Sequence, residues 1–162
     1  LSQEEIYGIR DLSYSAWHRR ESTRRFVGIE QAQLLAMIDL DSCLYIEYDD
    51  STKEPICLME VAQDIGQPIK PFTVTKKLAM RCKPILPAYV LLYTLGKEKN
   101  PANNKYFDIS SFRFKCIWPE ESWQWSILTP SQYANWLLGI RRKSSSFLDY
   151  SFKNNKYPIK NV

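Results

Sequence analysis

The sequence holds a single histidine, His18, and no C-x-x-C pair among its four cysteines, Cys43, Cys57, Cys82 and Cys116. Each scarcity excludes a chemistry. Widely spaced thiols supply neither a zinc-ribbon signature nor a disulfide framework, so they read as free, mostly buried thiols in a reducing cytoplasm. A lone histidine beside Trp17 and Arg19 reads as a packing or hydrogen-bonding residue rather than a general base. A Gly-rich phosphate loop, a nucleophile elbow and an H-E-x-x-H helix are all missing. No apolar run approaches bilayer-spanning length, and no membrane partner is expected. Nothing near Leu1 reads as a signal peptide; because the first residue is not Met, what precedes it is left open. No internal repeat occurs.

What is present suits a folded domain. Of 162 residues, 44% are hydrophobic and 14% aromatic, which argues for a globular core and against disorder. That length suits one domain. Net charge is +4 and the pI is near 8.8, compatible with a nucleic-acid partner but a weak signal alone.

Periodicity then orders the chain. Ile6, Ile9, Leu12 and Ala16 predict a helix over 3–19, weakened at Gly8, followed by a basic linker from His18 to Arg25 and a short helix over 29–38. Strands are predicted over 39–49 and 55–62 with "DDSTKE" as their turn. Thr73 or Thr75 is placed to cap a helix carrying Leu78, Ala79 and Cys82. "PAYVLLYTL" (87–95) suits a strand buried on both faces, 96–105 a loop, and "FRFKCIW" (112–118) a strand with Phe112, Phe114, Cys116 and Trp118 on one side. Thr129, Pro130 and Gln132 form a capping box ahead of a helix whose apolar face holds Tyr133, Trp136, Leu137 and Ile140. Trp118, Trp123, Trp125 and Trp136 are read as core rather than base-stacking residues. The expected fold is α/β (α+β), one mixed sheet with flanking helices, in a domain over 1–142 with a basic tail over 143–162.

The first hairpin carries the strongest signal. Between Met37 and Asp64 stand eight acidic residues and one lysine, a net −7, while the remainder of the chain sums to +11. Glu47, Asp49, Asp50 and Glu54 read as solvated hairpin ends. Strand parity puts Asp39 and Asp41 on one side of the first strand, and a turn near Ser51 sets Asp41 opposite Glu60 or Ala62. Directly opposed Cβ atoms sit about 4.5–5.5 Å apart. Two carboxylates at that range repel, and Glu60 lies inside the apolar "ICLMEVA". A divalent cation with oxygen ligands, Mg²⁺ or Mn²⁺, resolves both difficulties, with Asp39 as a third group and Asp64 a weaker fourth.

This pattern resembles the metal-binding hairpin of the PD-(D/E)XK, or restriction-endonuclease-like, nucleases. "IDLDSCLYIEYD…EPICLMEVA" carries the resemblance, together with "WHR" (Trp17 to Arg19) and "TVTKKLA…PAYVLLY" (Thr73 to Tyr93), which are similar to segments of bacterial and phage proteins of that superfamily. The resemblance spans 17–140 through short motifs. It implies a core of a helix, three strands, a helix and a strand. It also implies Asp41 as first metal ligand, Glu60 as second and Asp39 as accessory.

The motif lysine belongs at residue 62, where this chain has Ala62. Lys76 and Lys77 on the following helix are the expected relocated catalytic lysines. Lys70, Lys76, Lys77, Arg81 and Lys83, with Arg19, are the expected nucleic-acid contacts. Two functions follow: a metal-dependent endonuclease acting on DNA, or a non-catalytic nuclease-fold module that binds nucleic acid or a partner protein.

Overall fold

The apolar run from Ala88 to Leu92 forms the centre of a five-stranded sheet. Ala88, Val90, Leu91 and Leu92 are all buried, so this strand is covered on both faces as its composition demands. The computed structural model describes residues 13, 17, 20–38, 40–48 and 50–153. It comprises two units, Leu1–Asp39 and Leu40–Val162.

In the first unit, helix α1 spans Arg20–Leu34. The expected linker at Arg20–Arg25 is therefore helical, and the predicted helix over 29–38 stops at Leu34. The break falls instead at Gly28, whose φ of +79° interrupts the helix and suits only glycine comfortably. The predicted helix over 3–19 falls mostly outside the described residues, as does His18.

In the second unit, β1 (Ser42–Glu47), β2 (Lys53–Gln63), β3 (Ala88–Asn100), β4 (Asn103–Trp118) and β5 (Ser126–Leu128) lie in the order β1-β2-β3-β4-β5. Only β2 and β3 are parallel. A parallel pair needs a crossover, and α2 (Thr73–Arg81) supplies it. Helix α3 (Pro130–Lys153) follows β5 and continues past residue 142. This is the expected α+β class with a single mixed sheet. Among the described residues two strands precede α2, where the nuclease motif implies three.

The helices take opposite faces. Leu58, Val90, Leu92 and Ile117 pack with Ala79 of α2, while Ile140 of α3 packs on Ile46 and Ile56. On the α3 side Tyr133 stacks on Phe112 at 4.1 Å between ring centroids, and Trp136 meets Tyr89 at 4.8 Å. The capping box forms as read: Gln132 N–H donates to Thr129 Oγ1 at 3.2 Å, and Thr129 N–H to Gln132 Oε1 at 2.9 Å.

Several expectations fail for physical reasons. Residues 96–105 continue β3 and β4 around a tight turn at Pro101-Ala102, because the strands keep pairing beyond the apolar core. Two bulges defeat strict alternation. One, at Ile56, lets that side chain join the Ile46 cluster rather than follow Leu58. The other, beside Ile117, turns Trp118 onto the α2 face, away from Phe112 and Phe114. Trp125 and Trp136 pack as expected, but Trp123 is 93% exposed. The four thiols are free, and of these only Cys57 is buried.

Leu92 is fully buried in the cluster beneath α2, so Leu92→Ala should cost about 2–5 kcal/mol. Thr129→Ala removes one half of the capping box and should cost about 1 kcal/mol. Urea unfolding of each variant measures both losses.

Candidate active site

β2 outruns β1, and the site grows from that mismatch. The last pair of the hairpin ladder is Ser42 with Met59, so Glu60 to Gln63 have no β1 partner on the outer edge of β2. Backbone groups exposed there need other partners. Asp41, immediately before β1, accepts the Val61 N–H on Oδ2 at 2.9 Å. Gln67 Nε2 donates to the Gln63 carbonyl at 2.8 Å. Lys70 Nζ donates to the Val61 carbonyl at 2.9 Å. Three side chains thus seal an edge that a longer β1 would have paired.

Extending the observed register by one residue brings Asp41 level with Glu60, one of the two pairings read from the hairpin. Both carboxylates meet the same cation. Lys70 Nζ donates to Asp41 Oδ2 and lies 2.9 Å from Glu60 Oε2. The Glu60 contact is an ion pair without hydrogen-bonding geometry, so this deeply buried oxygen keeps an unused acceptor. Its other oxygen, Oε1, accepts a hydrogen bond from the Thr75 hydroxyl. That use of Thr75 corrects its reading as a helix cap: Phe72 occupies the N-cap position, and no side chain caps α2. Glu60 is 1% exposed, whereas Lys70 and Asp41 reach solvent at 24% and 28%. Burial lowers the Lys70 pKa.

Other predicted site residues lie elsewhere. Lys76 pairs with Glu121 at 2.6 Å instead of joining the carboxylates. Lys77 is exposed, as are Arg81 and Lys83 at the far end of α2. Ala62 packs against the apolar cluster beneath α2. Asp64 is no fourth ligand: Arg113 holds it through two hydrogen bonds, which keep the Asp64 carboxyl below the usual carboxylate range. Asp39 and Arg19 lie outside the described residues. Among the described residues no group of three or more His, Cys, Asp or Glu side chains is placed to hold a metal.

The residue that sequence reasoning placed only among phosphate contacts is the one that joins the carboxylates. Lys70 stands in a loop, and no periodicity marks its direction. Its position at the head of "KPFTVTKK", ten residues after Glu60, was the available signal. Asp41 Oδ2, Glu60 Oε2 and the Val61 carbonyl are three hard oxygens converging on one cation. That donor set suits Mg²⁺ or Mn²⁺ as well as an ammonium.

No family model matches the chain, and neither any curated protein nor any solved structure matches it. Among the described residues no helix is long and apolar enough to cross a membrane.

Lys70→Met would leave Glu60 buried beside Asp41 without a cation, and should destabilise the fold by about 3 kcal/mol or more in urea unfolding. Adding Glu60→Gln should restore part of that loss. The Asp64 carboxyl titrates below its unfolded value, so its bond to Arg113 stabilises the fold above about pH 4, the ordinary Asp pKa, and this share is lost as pH falls through the lowered folded value. Asp64→Asn should therefore flatten the acid limb of the stability–pH curve, read by urea unfolding between about pH 2 and pH 5.

Proposed function

We propose that this chain is a cytoplasmic metal-dependent phosphodiesterase of the PD-(D/E)XK type, acting on DNA, with Lys70 in the role of the lysine missing at residue 62. The single observation behind this reading is the convergence of Asp41, Glu60 and the Val61 carbonyl on the Lys70 ammonium. Asp41, Glu60 and the Val61 carbonyl would hold Mg²⁺ or Mn²⁺. When bound, the ion supplies Lewis-acid polarisation of a phosphate and lowers the pKa of a coordinated water.

The chain's own residues do the rest. Thr75 fixes the Glu60 carboxylate by occupying one oxygen, leaving Oε2 turned toward the site. Lys70, drawn back from the oxygens, stabilises negative charge developing on the scissile phosphate. The exposed cations of α2, Lys77 and Arg81, with Lys83 just beyond it, contact the phosphate backbone electrostatically.

A second reading has its own observation. Lys70 already neutralises both carboxylates and completes the open edge of β2, a purely structural duty. A non-catalytic nuclease-fold module that binds nucleic acid or a protein partner would keep that arrangement.

One assay separates them. Purified protein with linear and supercoiled DNA and Mg²⁺ or Mn²⁺ should cleave. Glu60→Gln and Lys70→Met should each reduce the rate about a hundredfold or more, the usual cost of removing one electrostatic element from a catalytic site. Metal-dependent cleavage that survives Glu60→Gln, or no cleavage by the parent, favours the binding module.

A further inference from the structure

Lys70 reaches the carboxylates from a loop between β2 and α2, and that loop is held by a residue two strands away in the sheet. Arg113 stands on β4, on the same face as Ile117 and the α2 layer. Its register partner is Leu92 of β3, which in turn pairs with Ala62 of β2. From there its guanidinium reaches the first residues of the loop. Nε and one terminal nitrogen donate to the two oxygens of Asp64, the latter at 3.0 Å. The same terminal nitrogen donates to the Gln67 carbonyl at 2.6 Å. Trp125 covers the guanidinium, with its ring centroid 4.6 Å away.

The loop is also knitted to itself, to the end of β2 and, at its first residue, to β3. Asp64 Oδ1 accepts the Gly66 N–H at 3.0 Å, and Gln67 Oε1 accepts the Ile65 N–H at 2.7 Å. Gly66 has φ +87°, a conformation that lets the chain reverse within a few residues. Asp64 N–H also donates to the Tyr93 carbonyl. The Tyr93 bond holds the loop at its first residue and the internal bonds shape the turn; Arg113 adds the side-chain clamp that ties both Asp64 and Gln67 to β4.

We infer that Arg113 is a positioning residue for Lys70: by clamping Asp64 and Gln67 it fixes the loop that carries the Lys70 ammonium to Asp41 and Glu60. A bidentate guanidinium–carboxylate pair roofed by an aromatic ring is a stiff, directional attachment. Lys70 lies three residues beyond Gln67, with Pro68 and Pro71 near it to limit slack. This inference rests on the proposed function only in naming Lys70 as the working lysine; the clamp itself is a matter of loop geometry.

The test reads the Lys70 amine directly. The full chain, as the parent, Arg113→Gln and Asp64→Asn, is treated briefly with an acetylating succinimidyl ester, and acetylation of Lys70 and Lys77 is quantified by mass spectrometry. In the parent, Lys70 should react about tenfold more slowly than exposed Lys77, as expected for an amine released only by local opening. Arg113→Gln and Asp64→Asn should each speed Lys70 about fivefold or more while Lys77 stays constant, since the clamp governs one loop. Asp64→Asn carries the test if Arg113→Gln does not fold. Unchanged Lys70 labelling in a folded variant overturns the clamp, and so does an equal rise at Lys70 and Lys77. Cleavage plays no part in this readout. Failure of the nuclease reading shows as an inert parent, whereas failure of the clamp shows as indifferent Lys70 labelling.

Discussion

An ammonium set among two carboxylates and a backbone carbonyl is the interaction on which the second unit's site depends. Glu60 is nearly inaccessible, and a buried carboxylate without a counter-charge is among the most costly features a core can hold. Lys70 supplies the charge, Thr75 supplies a hydrogen bond, and Asp41 shares the same cation from the neighbouring chain segment. Remove the lysine and two negative groups face each other across adjacent strands. The cluster is therefore cooperative: each member makes the others tolerable in a poorly solvated place.

The backbone explains why the cluster sits where it does. A hairpin whose second strand is longer than its first leaves donors and acceptors unpaired along one edge, and such edges attract unwanted strands. Here Asp41, Lys70 and Gln67 cover that edge. Sealing it and gathering charge are one act, because Lys70, which satisfies the Val61 carbonyl, also meets Glu60 and Asp41. This dual use puts the sheet edge and the charge cluster in one place: the Lys70 ammonium is held by Asp41 Oδ2, by Glu60 Oε2 and by the Val61 carbonyl.

Two layers keep this arrangement stiff. Beneath α2, Leu58, Val90, Leu92 and Ile117 form a closely packed aliphatic cluster, with Ala62 at its margin. On the opposite face the aromatic cluster of Tyr89, Phe112, Phe114, Tyr133 and Trp136 anchors α3. Glu60 projects from β2 between rigid neighbours, while Lys70 comes from a loop.

Local rules carried much of this in the sequence. Period-two alternation and a turn near Ser51 put Asp41 and Glu60 near one another. The pairs beside the turn would set Asp41 against Met59, and it is the bulge at Ile56 that shifts the ladder by one residue and brings Asp41 level with Glu60. The apolar run at 88–92 declared a doubly covered strand, and Thr129 with Gln132 declared a helix start. Tertiary structure alone decided the rest. The bulges at Ile56 and Ile117 reversed the faces of neighbouring residues, and no alternation pattern marks an inserted residue. Lys70 found the carboxylates, and Arg113 found Asp64 across 49 residues, through loop paths and a strand order that periodicity does not encode. Side chains in regular elements inherit their direction from the backbone repeat, whereas those in loops take it from whichever distant partner captures them.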